Sequence, residues 1–278
     1  MQEDLTTSFV EAILRSDRAH VEAALAQHPE LAHAVAPTAL APENISGCTA
    51  LHLAAYSGGA DIERLLVRHG ADPSAVNGEG RTPLHTALEY NNTTRQILID
   101  LGVPVDAAAA AALNDVPRLA ALLDADPGLV EDRTTRLTPL EWAAYHNALD
   151  TALELLRRGG DPNDGALLCA ASVAAVAMGE LLLTAGAGPN ATPAGRGFTA
   201  LHVAAAMRYT DDGTDFVQLL LSSGADPGAV TEDGRTPLDV ARCALERERE
   251  SHGDAGARWE GLGRVVALLE EQLTGSEK

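Results

Sequence analysis

One phrase recurs five times along this chain: CTALHLAAYSG (48–58), RTPLHTALEYN (81–91), LTPLEWAAYHN (137–147), FTALHVAAAMR (198–208) and RTPLDVARC (235–243). A catalytic group is needed once, so a residue that returns at a fixed place in a repeated phrase is scaffold before it is chemistry. The position in question holds His52, His85 and His202, then Glu141 and Asp239.

The phrase carries a period. Thr49 and Thr82 are 33 residues apart, while Thr82 to Thr138 and Thr138 to Thr199 are longer gaps that hide weaker copies. In a good copy an Ala pair (Ala54, Ala55) precedes a Leu pair (Leu65, Leu66) by 11 positions. The same rule finds Ala111–Ala112 before Leu122–Leu123 and Ala170–Ala171 before Leu181–Leu182. With an N-terminal copy near Ser8, the units start near 8, 49, 82, 106, 138, 165, 199 and 236. Their mean spacing is about 33 residues, within the range of solenoid repeats.

Each unit reads as two short helices. Thr is a helix N-cap, Pro at the first helical position loses no hydrogen bond, and Leu opens the apolar stripe. The Ala pair lets neighbouring helices approach closely. The second helix (IERLLVRHG, ALELLRRGG, VQLLLSSG) ends at Gly70, Gly159 or Gly224, where a left-handed C-cap favours glycine. The turn signals GADP and GGDPN follow.

The period, the TPLHxAA phrase, the Leu pair and GADPN resemble the ankyrin repeat over nearly the whole chain. That resemblance implies an all-α solenoid of stacked helix pairs, with short β-hairpin fingers joining one pair to the next. It also implies that His52, His85 and His202 hydrogen-bond within and between repeats and hold the loops. The chain is read as a single solenoid over 1–278, with unusual end units acting as caps. ALERERESHGDAGARW (244–259) lengthens the last unit as a charged helical extension.

Departures from the pattern locate its special places. Units three and five are followed by intervals shorter than 33 residues, and the segment lost is the finger: compare DPSAVNGEGRT (72–82) with VPVDAAA (103–109). Truncated fingers before units four and six should leave notches around units four to six. Insertions fall at AVAPTALAPENIS (34–46) and RYTDDGTD (208–215). HPEL (28–31) and DPGL (126–129) end equivalent helices and suggest a duplicated block of three units.

Composition excludes several function classes. The formal charge of −20, with one lysine, disfavours nucleic acid, which is bound by displacing counterions with basic groups. The charge instead suits solubility or a protein partner with a basic surface. Three separated cysteines without ligand spacing argue against disulfides and metal, and place the chain in a reducing cytoplasm. The longest apolar run, 166–178, is too short for a membrane span, and the acidic start lacks a signal peptide's features. The Ala- and Arg-rich composition looks like a GC-rich bacterial coding bias. No cofactor motif occurs, and capped ends favour a monomer.

In ankyrin proteins partners lie along the concave face, onto which the two positions after the Ala pair and the finger tips point. Here those positions offer Tyr56, Ser57, Glu89, Tyr90, Asn114, Tyr145, His146 and Met207, with Tyr209 just beyond. The finger residues before each Thr are Cys48, Arg81, Leu137, Phe198 and Arg235, exposed in the family. All four tyrosines of an aromatic-poor chain (3% Phe, Trp and Tyr) fall on or beside this face. Tyrosine supplies a large contact area at low entropic cost, which suits an interface anchor. Trp142 reads as core. The expected function is therefore a protein-binding scaffold. The alternative is a small-molecule site or unusual enzyme, with Glu141, Tyr145 and His146 converging on a pocket near units four to six.

Overall fold

In the computed structural model the described residues are 2–90, 93–193, 197–206, 212–252 and 256–275. They form sixteen α-helices with short 3-10 turns, and the only β-bridge among them joins Val35 to Thr49. The chain divides into two compact units, Met1–Ala109 with Arg133–Arg136, and Ala110–Asp132 with Leu137–Lys278.

In the first unit the helices are α1 (Gln2–Leu14), α2 (Arg18–Gln27), α3 (Ala50–Ser57), α4 (Ala60–Arg68), α5 (Pro83–Tyr90) and α6 (Arg95–Asp100). The boundary falls inside α7 (Ala107–Ala112). The second unit continues with α8 (Val116–Ala125), α9 (Pro139–Tyr145), α10 (Leu149–Arg157), α11 (Ala166–Ser172) and α12 (Val176–Thr184). It closes with α13 (Ala200–Ala206), α14 (Thr214–Ser222), α15 (Pro237–His252) and α16 (Ala257–Gly275). First helices pack on first helices: α1 on α3 and α3 on α5 in one unit, α9 on α11, α11 on α13 and α13 on α15 in the other. Second helices follow their own row, α2 on α4 in the first unit, and α8 on α10, α10 on α12, α12 on α14 and α14 on α16 in the second.

Small residues set this spacing. All six alanines of α7 are buried, as are the pairs Ala54–Ala55, Ala143–Ala144, Ala170–Ala171 and Ala204–Ala205. At Gly179 on α12 an added Cβ would lie 2.8 Å from the Phe216 ring on α14. Each fully buried leucine of the phrase (Leu51, Leu84, Leu201) contributes about 2 kcal/mol relative to exposure.

Apart from α1, the first helices open one residue after 49, 82, 106, 138, 165, 199 and 236. α1 departs from the pattern: it begins at Gln2 rather than near Ser8, since no Thr-Pro signal precedes Ser8 to stop it. Gly70, Gly159 and Gly224 take φ of 91°, 95° and 88°, the left-handed conformation expected just past a helix end. HPEL and DPGL adopt the same 3-10 turn, Pro29–His33 and Pro127–Glu131. The charged insertion of the last unit extends α15 as a helix through His252.

The fingers are turns rather than ladders. Asn77 and Thr231 each donate their N–H to the carbonyl of the residue four on, Arg81 and Arg235, at 3.0 Å. Residues 69–82 and 223–236 make full fingers, whereas only 101–106 and 158–165 separate α6 from α7 and α10 from α11. The shortening before units four and six is therefore real, but the first notch is not open. Arg136 pairs with Glu79, and at Gly80 (φ 72°) an added Cβ would overlap the Thr134 carbonyl oxygen. The loop at 133–136 reaches across and docks on the finger before α5, bridging the gap that the short finger leaves.

Candidate functional site

The recurrent histidine is a bracket between repeats. The backbone N–H of Thr49 donates to His52 Nδ1 at 3.2 Å, and Nε2 lies 2.8 Å from the Arg81 carbonyl. A backbone N–H can only donate, so Nδ1 is unprotonated and Nε2–H donates to the next finger. His202 repeats this with Thr199 and the Arg235 carbonyl. Burial is the main force holding His52 neutral, pulling its pKa from 6.5 to about 4. His202 is lowered for the same reason.

Where a finger is short, the partner changes. After His85 no full finger follows, and Nε2 meets the Asp106 carboxylate at 3.2 Å. Asp106 also accepts from Ala109 N at 2.9 Å. Burial pushes the Asp106 carboxyl up, but the His85 bond and backbone donors win and hold it below the usual range. Glu141 also precedes a short finger. Its Oε2 accepts from Thr138 N at 2.8 Å while Thr138 Oγ1 accepts from Glu141 N at 3.2 Å, a capping box. Its other oxygen packs against Gly165, which stands where sister units place Thr and where a Cβ would overlap it. Asp239 makes the same box with Thr236. Glu141 is therefore buried and engaged as a cap, and replacing it with Ala should cost about 1 kcal/mol, measurable as a lower urea midpoint. No loss at all would remove it from this role.

The structure sorts the candidate binding residues. In the first unit Tyr56 and Tyr90 are exposed by 39% and 36% and meet edge to face, ring centres 5.0 Å apart. Beside them Glu89 binds Arg81 at 2.5 Å, and Arg81 also reaches Glu79 at 3.1 Å. Glu43 lies near the Tyr90 hydroxyl. Burial, then the charges of Glu89 and Glu43, push the Tyr90 phenol above its ordinary value. Burial likewise raises Glu89, against the opposing pull of Arg81. Arg81 is not an exposed finger tip. It is 7% exposed, because its guanidinium lies between the two carboxylates. Cys48 is buried too. Ser57 is half-buried, donating to the Ile13 and Ala54 carbonyls, which makes it a tie to α1.

In the second unit Tyr145 and His146 are half-buried. His146 stacks on Trp142 (5.8 Å, 6°) and meets Tyr145 edge-on at 5.3 Å. Trp142 is core, at 1% exposure. Asn114 belongs to a turn. With φ 56° it shares the left-handed position between paired helices with Ser16, Gly58, Asn147 and Ala174. Its side chain is spent on Asp150 Oδ2 (3.0 Å) and Thr151 N (3.1 Å) at the start of α10. Phe198 and Arg235 come together with Arg247 and Arg258 around one cavity. Met207 and Tyr209 lie outside the described residues.

Sequence reasoning missed Glu43, Glu79 and Arg136. Glu43 sits in the lengthened first finger, so the insertion was the signal that could have found it.

The profile of ankyrin repeats (three copies) matches residues 20–109, and that of a single ankyrin repeat matches 196–232. The B-cell lymphoma 3 protein homolog of Mus musculus is 31% identical over 205 residues, 70% of this chain and 40% of that protein. The NF-kappa-B inhibitor cactus of Drosophila melanogaster is 46% identical over 72 residues, 25% of this chain and 14% of its own. The neurogenic locus notch homolog protein 1 of Danio rerio is 33% identical over 129 residues, 42% of this chain and 5% of its own. The chain thus spans less than half the length of these relatives.

Proposed function

We propose that this chain, which belongs to the ankyrin-repeat proteins, is a protein-interaction scaffold whose first unit grips its partner through Tyr56 and Tyr90. The observation that carries this reading is the exposed, edge-to-face tyrosine pair in a chain with four tyrosines in all. The relatives support a protein partner, one of them being named as an inhibitor of NF-kappa-B. Tyr145 and His146 are the second unit's candidates. The carboxylates Glu43 and Glu89 beside the pair, with a net charge of −20, favour a partner with a basic surface. Three free cysteines fit a reducing cytoplasm, and the capped end units fit a monomer.

The test is capture from a lysate of the source organism on immobilised wild type beside Tyr56→Ala/Tyr90→Ala, with matched circular dichroism. A partner held by wild type should lose about 2 kcal/mol of binding to the variant, a roughly thirtyfold weaker Kd. Equal retention by both proteins would remove the tyrosine face from the proposal. A catalytic reading has less support, because Glu141, its acid, is held by Thr138.

A further inference from the structure

The cavity that Phe198 and Arg235 enter stands out chemically from the rest of this acidic chain. It measures about 590 Å³ and lies in the second unit, among the finger residues Phe198 and Arg235, the end of α13, one face of α15 and the start of α16. Sites for small molecules typically occupy this size range, with an apolar body and a few placed polar groups. One wall is the half-buried Phe198 ring, itself braced edge-on by His202 at 5.7 Å. Val240 and Ala244 continue the apolar surface.

The rim is cationic. Arg235, Arg247 and Arg258 line the cavity against one carboxylate, Glu248. Arg235 is partly neutralised by Asp233 at 2.6 Å and Arg258 by Glu248 at 3.5 Å, which leaves Arg247 as the cation without a carboxylate among the described residues. Arg247 spends its Nε on the Cys243 carbonyl at 3.2 Å, and its terminal nitrogens make no bond among the described residues. Arg258 Nε lies 3.5 Å from Glu248, and this nitrogen is shielded from solvent with no hydrogen-bond partner. The terminal nitrogens of Arg258, like those of Arg247, make no bond among the described residues, so two guanidinium forks at this cavity are left for an anion. Guanidinium groups suit this task because their planar donor forks match carboxylate and phosphate oxygens.

We propose that this cavity binds a small organic anion: a flat apolar ring lying on Phe198, Val240 and Ala244, with its carboxylate or phosphate held by Arg247 and Arg258. The site is separate from the tyrosine face and does not depend on the scaffold reading. It also gives the α15 extension a role, since that insertion supplies Arg247 and carries the chain on to Arg258.

Phenyl phosphate is the probe, titrated by calorimetry into the full chain at low salt, beside inorganic phosphate and phenol. Binding with a Kd on the order of 1 mM or tighter is expected for phenyl phosphate, with inorganic phosphate at least about tenfold weaker and phenol weaker still. Arg247→Gln and Arg258→Gln should each weaken phenyl phosphate about tenfold or more while keeping the wild-type melting curve. Benzoate in place of phenyl phosphate tells a carboxylate site from a phosphate site, and binding of either fits the proposal. Four results overturn it: no heat from either aryl anion up to about 10 mM, unchanged affinity in both arginine variants, phenol binding as well as phenyl phosphate, or inorganic phosphate doing so.

Discussion

Replacing Glu63 with glutamine should stabilise the protein by about 3 kcal/mol at pH 8 and change little below pH 4. Glu63 sits on α4 at 0% exposure, and neither carboxylate oxygen has a hydrogen-bond partner. Burial drives its pKa from 4.5 up to about 7, and the Thr94 hydroxyl and the Arg64 charge offset only part of that rise. The sign follows from which state holds the proton more tightly. The folded carboxyl keeps its proton to higher pH than the unfolded one, so the stability this provides is complete below about pH 4.5. It is lost as pH rises through about 7, where a bare charge is left in an apolar setting. Glutamine resembles the protonated acid in shape and cannot ionise, so the alkaline loss disappears. The measurement is urea unfolding followed by circular dichroism at pH 4 and pH 8, because both tryptophans, Trp142 and Trp259, belong to the other unit. A gain of equal size at both pH values would show that packing, not ionisation, explains it.

Much of this architecture could be read from residue order. The Thr-to-Gly grammar of each unit is local: a cap, an apolar stripe and a left-handed glycine are each decided within a few residues, so the sequence locates α3, α5, α9, α13 and α15 closely. The shortened fingers were legible for the same reason, since a missing segment shows up as a missing interval. What the order hides is which chain segment fills the space left behind. The bridge from Arg136 and Thr134 to the finger at Glu79 and Gly80 joins residues more than fifty positions apart, and nothing in either segment announces the other. The burial of Arg81 escaped notice for a related reason. A guanidinium before Thr looks like a solvated tip until two carboxylates, Glu79 and Glu89, are found on either side of it.

The departures from the phrase take on meaning once paired. Asp106 stands in place of Thr and its carboxylate meets His85, and Gly165 stands in place of Thr where the Glu141 carboxylate needs the room. Each substitution at the histidine position keeps the acceptor for the preceding Thr N–H, while the donation onward to the next finger is kept only by histidine. Among the candidate site residues, exposure separated Tyr56 and Tyr90 from Ser57 and Asn114. The rule that residues after the Ala pair face a groove does not distinguish a side chain held by a turn from one left open.

His52 is where the two halves of that bracket can be measured. His52→Ala should cost about 3 kcal/mol at pH 7, from the cavity left by a fully buried ring and from the stranded N–H of Thr49. The Arg81 carbonyl keeps its other donor, Asn77 N, so that end of the loss is partial. His52→Gln can accept from Thr49 and donate to Arg81, and should recover about half of the cost. The ionisation has its own signature, opposite in sign to that of Glu63. With a folded pKa of about 4 against 6.5, His52 is neutral in the fold, and the unfolded chain takes up the proton first as pH falls. Stability is therefore full above about 6.5 and declines by about 3 kcal/mol as pH falls to 4. In the wild type the two trends run against each other within one unit, so its stability should be nearly level between pH 4.5 and 6.5. The Glu63→Gln background exposes the histidine's limb, and adding His52→Gln should flatten it again. If the double variant still loses stability on acidification as steeply as Glu63→Gln alone, the neutral bracket is not what holds α3 to the finger that follows it.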